Sequence, residues 1–152
     1  MTNPFPFVAN TVLSAAQLNG IGEAWTSYTP VFKTGATTRT ATVNYAKFCV
    51  VNKLVNIQVE LTCTEAGTAN AILSISLPTT LSYPRNTSAI GSVGTFTIQD
   101  TGTAFYVGSA VLGTNIIQGT ASGAVDNMGA SAPAMTIANG DKVSFSVVLE
   151  IN

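Results

Sequence analysis

The carboxylates Glu60, Glu65, Asp100, Asp126 and Asp141 are the residues of this chain best suited to general acid–base work. Two of them, suitably paired, could cleave a glycosidic bond, one protonating the leaving oxygen while the other attacks or activates water. Their local settings offer simpler explanations. Glu60 takes a polar position in an alternating segment, Glu65 opens a turn, and Asp100 and Asp141 stand in glycine-containing turns. Histidine is absent, which removes the commonest proton carrier together with any Ser–His–Asp or Cys–His nucleophile. Cys49 and Cys63 without histidine cannot build a usual zinc site. In a reducing compartment they stay unpaired, and Cys63, which continues an apolar alternation, reads as a buried thiol. No phosphate-cradling G-x-x-x-x-G-K-[ST] run occurs. Trp25, Tyr28, Tyr45, Tyr83 and Tyr106 could stack on sugar rings, although such aromatics more often cover a sheet face or the end of a sandwich. The expectation is a chain with no catalytic residues, no metal and no cofactor.

The elements that would position these groups are strands. In Val55-Asn56-Ile57-Gln58-Val59-Glu60-Leu61-Thr62-Cys63 every second residue is apolar, the period of a strand with one buried face. Leu73–Leu77 repeats the pattern and stops at Pro78, which cannot donate to a continuing ladder. Val143–Ile151 is the clearest case, with Val143, Phe145, Val147, Leu149 and Ile151 on one face and Ser144, Ser146 and Glu150 on the other. The predicted core is therefore Val55, Ile57, Val59, Leu61, Phe145, Val147 and Leu149. Weaker strand candidates are Tyr28–Lys33, Arg39–Tyr45, Ser88–Ile98, Thr103–Leu112 and Asn115–Thr120, separated by turn signals such as Thr34-Gly35, Asp100-Thr101-Gly102, Gly113-Thr114 and Asn139-Gly140-Asp141. Eight or so short strands without intervening helices predict an all-β, antiparallel sandwich or jelly roll over residues 25–152. Ala121–Ala138, rich in Gly, Ala and Ser and without period, predicts a long surface loop.

Residues 1–24 differ in texture. Pro4 and Pro6 interleave an apolar cluster, and Ser14 with Gln17 fits a capping box ahead of a helix of about two turns that Gly20 would stop. So short a helix needs a surface to pack on. The expected attachment or oligomer contacts are Phe5, Phe7, Val8, Leu13, Leu18 and Trp25.

Charged residues make up 9% of the 152, against roughly 25% in ordinary soluble domains. The hydrophobic fraction is 46% and the net charge −1, so the chain has the means to fold. A charge-poor surface can be buried against partners at little desolvation cost, which favours assembly over a free monomer. Six scattered basic residues against seven acidic ones leave no footprint for nucleic acid. No apolar run is long enough to span a bilayer, and Met1-Thr2-Asn3-Pro4 lacks a positive leader region. The expectation is a soluble protein made in the cytoplasm, without nucleic-acid or membrane partners.

Phe7-Val8-Ala9-Asn10-Thr11-Val12-Leu13-Ser14-Ala15-Ala16-Gln17-Leu18-Asn19 resembles an N-terminal element of many bacteriophage virion proteins. Trp25-Thr26-Ser27-Tyr28-Thr29-Pro30-Val31 resembles the opening of phage β-domains. The phrase that usually follows is approximated by Tyr45–Val55, and the late Leu77-Pro78 ahead of an Ala/Gly-rich stretch also fits. The resemblance spans roughly the first half of the chain and the closing strand. It implies a virion structural protein, assembled in the host bacterial cytoplasm as a homotrimer, and supplies no catalytic residues. A compact domain with an apolar arm and no shaft suits a capsid decoration (cement) protein bound to the major capsid protein. It also suits a short tail fibre or tail-tip receptor-binding protein held by baseplate or tail proteins. A carbohydrate-binding module facing a host surface glycan is the third reading.

Overall fold

The structure, a computed structural model, describes residues 24–84, 91–120, 127–130 and 133–152. Ten strands form: β1 (Thr26–Ser27), β2 (Phe32–Thr34), β3 (Thr37–Arg39), β4 (Ala41–Val51), β5 (Leu54–Cys63), β6 (Leu73–Ser76), β7 (Ser92–Asp100), β8 (Ala104–Gly113), β9 (Ile116–Thr120) and β10 (Lys142–Glu150). They pair antiparallel in one sheet, in the order β1-β4-β5-β10-β7-β8-β9-β6-β2-β3, curled into a half-barrel. The protein is thus all-β, with no helix among the described residues. The short helix expected near the N-terminus, with Phe5, Phe7, Val8, Leu13 and Leu18, lies outside the described residues. The hydrogen bonds draw one continuous sheet where two separate layers were expected. Period-two alternation marks a buried face, and a curled sheet can bury that face against itself.

The chain itself links the two ends of this order. β3 runs into β4 with only Thr40 between them, and the carbonyl of Thr40 accepts the Thr64 N–H at 3.2 Å. β1 and β2 likewise belong to one extended run, which pairs with β4 at Thr26–Ser27 and with β3 at Phe32–Thr34. Two Greek keys result. After the meander β2, β3/β4, β5, strand β6 returns to lie beside β2; after the meander β7, β8, β9, strand β10 returns beside β7. Tight turns make the meanders, with the left-handed conformation that such hairpins need at Gly35, Asn52, Gly102 and Asn115.

The inner face forms one core. Val55, Ile57, Val59 and Leu61 of β5 are buried against Val143, Phe145, Val147 and Leu149 of β10, with Phe96, Ile98, Leu112, Ile117, Leu73 and Ile75 closing the rest. The stretch Ala121–Ala138 departs from the surface loop expected of it. In its described part Met128, Met135 and Ile137 are buried. The Met128 N–H donates to the Gly119 carbonyl at 2.7 Å and the Met128 carbonyl accepts the Leu73 N–H at 3.2 Å, tying the segment to β9 and β6. Any side chain on Gly119 would strike the Phe96 ring and come within 2.8 Å of the Met128 sulfur. The segment is therefore docked through single apolar residues, which leave no period to read.

Asp141, expected to be an ordinary turn residue, is also buried. Its Oδ1 accepts the Thr101 N–H at 2.9 Å and its Oδ2 the Ala138 N–H at 2.8 Å, while its carbonyl accepts the Cys63 N–H at 2.7 Å. The carboxylate thus joins the β7–β8 turn to the approach to β10 through charge-assisted bonds, while the backbone of the same residue holds the end of β5. Beneath the opposite end, the Tyr28 hydroxyl donates to the Ser76 carbonyl at 3.3 Å and the Tyr83 hydroxyl to that of Pro78 at 3.2 Å. Burial pushes both phenols well above their ordinary range, and for Tyr28 the neighbouring Tyr83 adds to it.

Candidate binding face

The outer faces of β4, β5, β10 and β7 carry a run of polar side chains around Tyr45. Cross-strand pairing aligns them in two rows. One runs Tyr45, Glu60, Ser144, Thr97, Val107; the next runs Lys47, Gln58, Ser146, Thr95, Ser109. Neighbouring rows on one face lie about 7 Å apart along the strands. Large side chains on β4 and β5 stand beside small hydroxyl residues on β10 and β7, and the step in height leaves an open groove of about 560 Å³.

Tyr45 reaches this face because of a bulge. Val43 pairs with Leu61 and Tyr45 with Glu60, so Asn44 is the extra residue. Without it the strict alternation would place Tyr45 opposite Val59 and turn its ring into the core. A bulge commonly re-aims a side chain in this way. Asn44 itself is held by two bonds from its amide, to Glu60 Oε1 at 3.0 Å and Thr62 Oγ1 at 2.8 Å.

The electrostatics of the groove are mild. Glu60 stands 4.0 Å from Lys142 Nζ with both side chains about half exposed (46% and 48%), a pairing worth little in stability but enough to offset its charge. Lys47 Nζ lies 5.4 Å from the centroid of the Tyr45 ring. Thr97 and Ser144 share a hydrogen bond across the floor.

The rest of the outer surface is apolar in places. Phe105 and Val107 alternate outward along β8 and are 64% and 61% exposed; Val51, Leu54 and Val148 form a second group around the β4–β5 hairpin, each more than half exposed. Trp25, immediately before β1, is 40% exposed.

The carboxylates considered for catalysis are dispersed. Glu60 edges the groove, Glu65 Oε1 accepts the Thr40 N–H at 2.9 Å, Asp100 shapes the β7–β8 turn, and Asp141 is used up in holding loops. Asp126 lies outside the described residues. Cys49 and Cys63 are not joined to each other. Burial, reinforced by Asp141, pushes the Cys63 thiol up to about 12, which leaves it inert as a nucleophile. Among the described residues no cluster of three His, Cys, Asp or Glu could hold a metal, and no helix is long and apolar enough to cross a membrane.

The chain matches no protein-family model, no curated protein and no solved structure. The assignment of function therefore rests on the residues themselves. The sequence does not assemble the groove: its hydroxyls look like the polar face of any strand, and a strict count that misses the Asn44 bulge turns Tyr45 away from them.

Proposed function

We propose that this chain is a non-enzymatic structural protein of a bacteriophage particle, acting as a homotrimer on the virion surface. The observation that carries the reading is the outward display of Phe105, Val107, Val51, Leu54 and Val148 in a chain with so little charge. Large apolar side chains repeated on a sheet face mark surfaces that are covered in an assembly. A low density of charge lets those surfaces desolvate cheaply. Residues 1–24 serve as the arm that binds the capsid, as a decoration protein's would. The reading as a short tail fibre or tail-tip protein uses the same surfaces with the arm in the baseplate.

Two measurements test this. Light scattering at micromolar concentration should give a trimer, and Phe105→Glu should dissociate it; a parent protein that runs as a clean monomer overturns the assembly reading. A stained gel of purified virions gives the copy number. Hundreds of copies per particle support decoration, a handful of trimers support a fibre, and none at all removes the protein from the virion.

A further inference from the structure

We infer that the groove between Tyr45 and β7 is a binding site for a neutral oligosaccharide. The inference goes beyond the assembly role, since it concerns the polar part of the face, which Val107 borders beside Thr97 without lining the groove. The groove has the volume of a small-ligand site, about 560 Å³.

Its lining selects the ligand class. A tyrosine ring offers an apolar face at one wall, where the C–H face of a pyranose can lie. Around it the Gln58 amide, the Thr95 and Ser146 hydroxyls and the Tyr45 hydroxyl make no side-chain hydrogen bond among the described residues. These groups both donate and accept, as sugar hydroxyls do. Glu60, already oriented by the Asn44 amide, adds a strong acceptor for a hydroxyl pair.

The same lining argues against other occupants. A phosphorylated or sulfated ligand would meet the Glu60 carboxylate, with Lys142 and Lys47 already engaged by Glu60 and the Tyr45 ring. A lipid or the apolar face of a second copy would leave the amide and three hydroxyls desolvated without partners, which is costly. The Asn44 bulge is what completes the site, because it alone brings the ring to the hydroxyl rows.

The test is a two-dimensional NMR titration of the full chain with maltohexaose, cellohexaose and N-acetylated chitohexaose, and with a heparin hexasaccharide as the anionic control. At least one neutral sugar should shift backbone amides confined to residues 45–47, 58–60, 95–97 and 144–146. Tyr45→Ala should weaken that sugar about tenfold, the usual scale of one aromatic contact. Ser146→Trp, which fills the floor, should abolish binding. The spectra report the fold of each variant directly, and Gln58→Ala serves where either fails to fold. Absence of shifts with all three neutral sugars, shifts located elsewhere, or preference for heparin would overturn the assignment. Light scattering on the same samples gives the oligomeric state, so loss of sugar binding and loss of the trimer are read separately.

Discussion

Val143, Phe145, Val147 and Leu149 of β10 are buried in the half-barrel, whereas Ser144, Ser146, Val148 and Glu150 of the same strand face outward beside β5 and β7. Both faces have the same backbone and the same neighbours. They differ in what the side chains can still do. The inner set is saturated by contacts, so any change there is a change in stability. The outer set is left with unspent hydrogen-bonding groups and uncovered apolar carbon, so change there should register in binding while the fold stays intact.

The largest expected effect is on the inner face. Phe145→Ala should cost about 3–5 kcal/mol, the usual range for emptying a buried aromatic site, read as a lower denaturation midpoint with an unchanged slope. A variant that melts like the parent would remove Phe145 from the core. Asp141→Ala comes next, at about 2–4 kcal/mol, because it removes both charge-assisted bonds that the buried carboxylate accepts from the Thr101 and Ala138 N–H groups. Asp141→Asn, which keeps one acceptor, should fall between the parent and Asp141→Ala; an Asn variant as stable as the parent would show that the charge contributes nothing.

Alkaline pH probes the inner face without mutation. Tyr28 and Tyr83 have folded-state pKa values raised above the unfolded value near 10. The folded protein therefore holds more protons than the unfolded chain above that value. Their contribution is complete below about pH 10 and is lost as pH climbs from there towards the folded-state values. Melting temperature should hold level to about pH 10 and then fall, and the double variant Tyr28→Phe, Tyr83→Phe should show a shallower fall. Equal slopes for parent and variant would assign the loss to other groups. The smallest effect belongs outside: Ser146→Ala should change stability by less than about 0.5 kcal/mol. A larger loss, appearing only at concentrations where the protein is oligomeric, would place that serine under a second subunit.

The strands with unbroken alternation could be read directly, since a period of two over Val143–Ile151 admits little else. β5 and β6 were legible for the same reason. Three features were not. The pairing of β5 with β10 is between segments distant in the chain, and alternation names a buried face without naming its partner. Met128, Met135 and Ile137 dock one at a time from a Gly- and Ala-rich stretch, so no periodic signal accompanies their burial. Asp141 follows Asn139-Gly140, a turn sequence that would suit a solvated carboxylate equally well; its burial depends on N–H groups that other segments bring to it. The groove shares this last property, for its walls come from β4 and β5 and its floor from β10 and β7.

The place of β10 sets a timetable for the nascent chain. Residues Lys142–Glu150 pair on one side with β5 and on the other with β7, so the middle of the sheet is filled by the last of the ten described strands to be made. Until those residues leave the ribosome, β5 and β7 each present an unsatisfied edge, and neither Greek key can be joined to the other through them. Folding should therefore wait for β10 and be slow, governed by a contact between segments some 90 residues apart along the chain. A cell making the protein would hold a pool of chains with sticky edges, and their protection during that interval becomes a requirement of producing this protein at all.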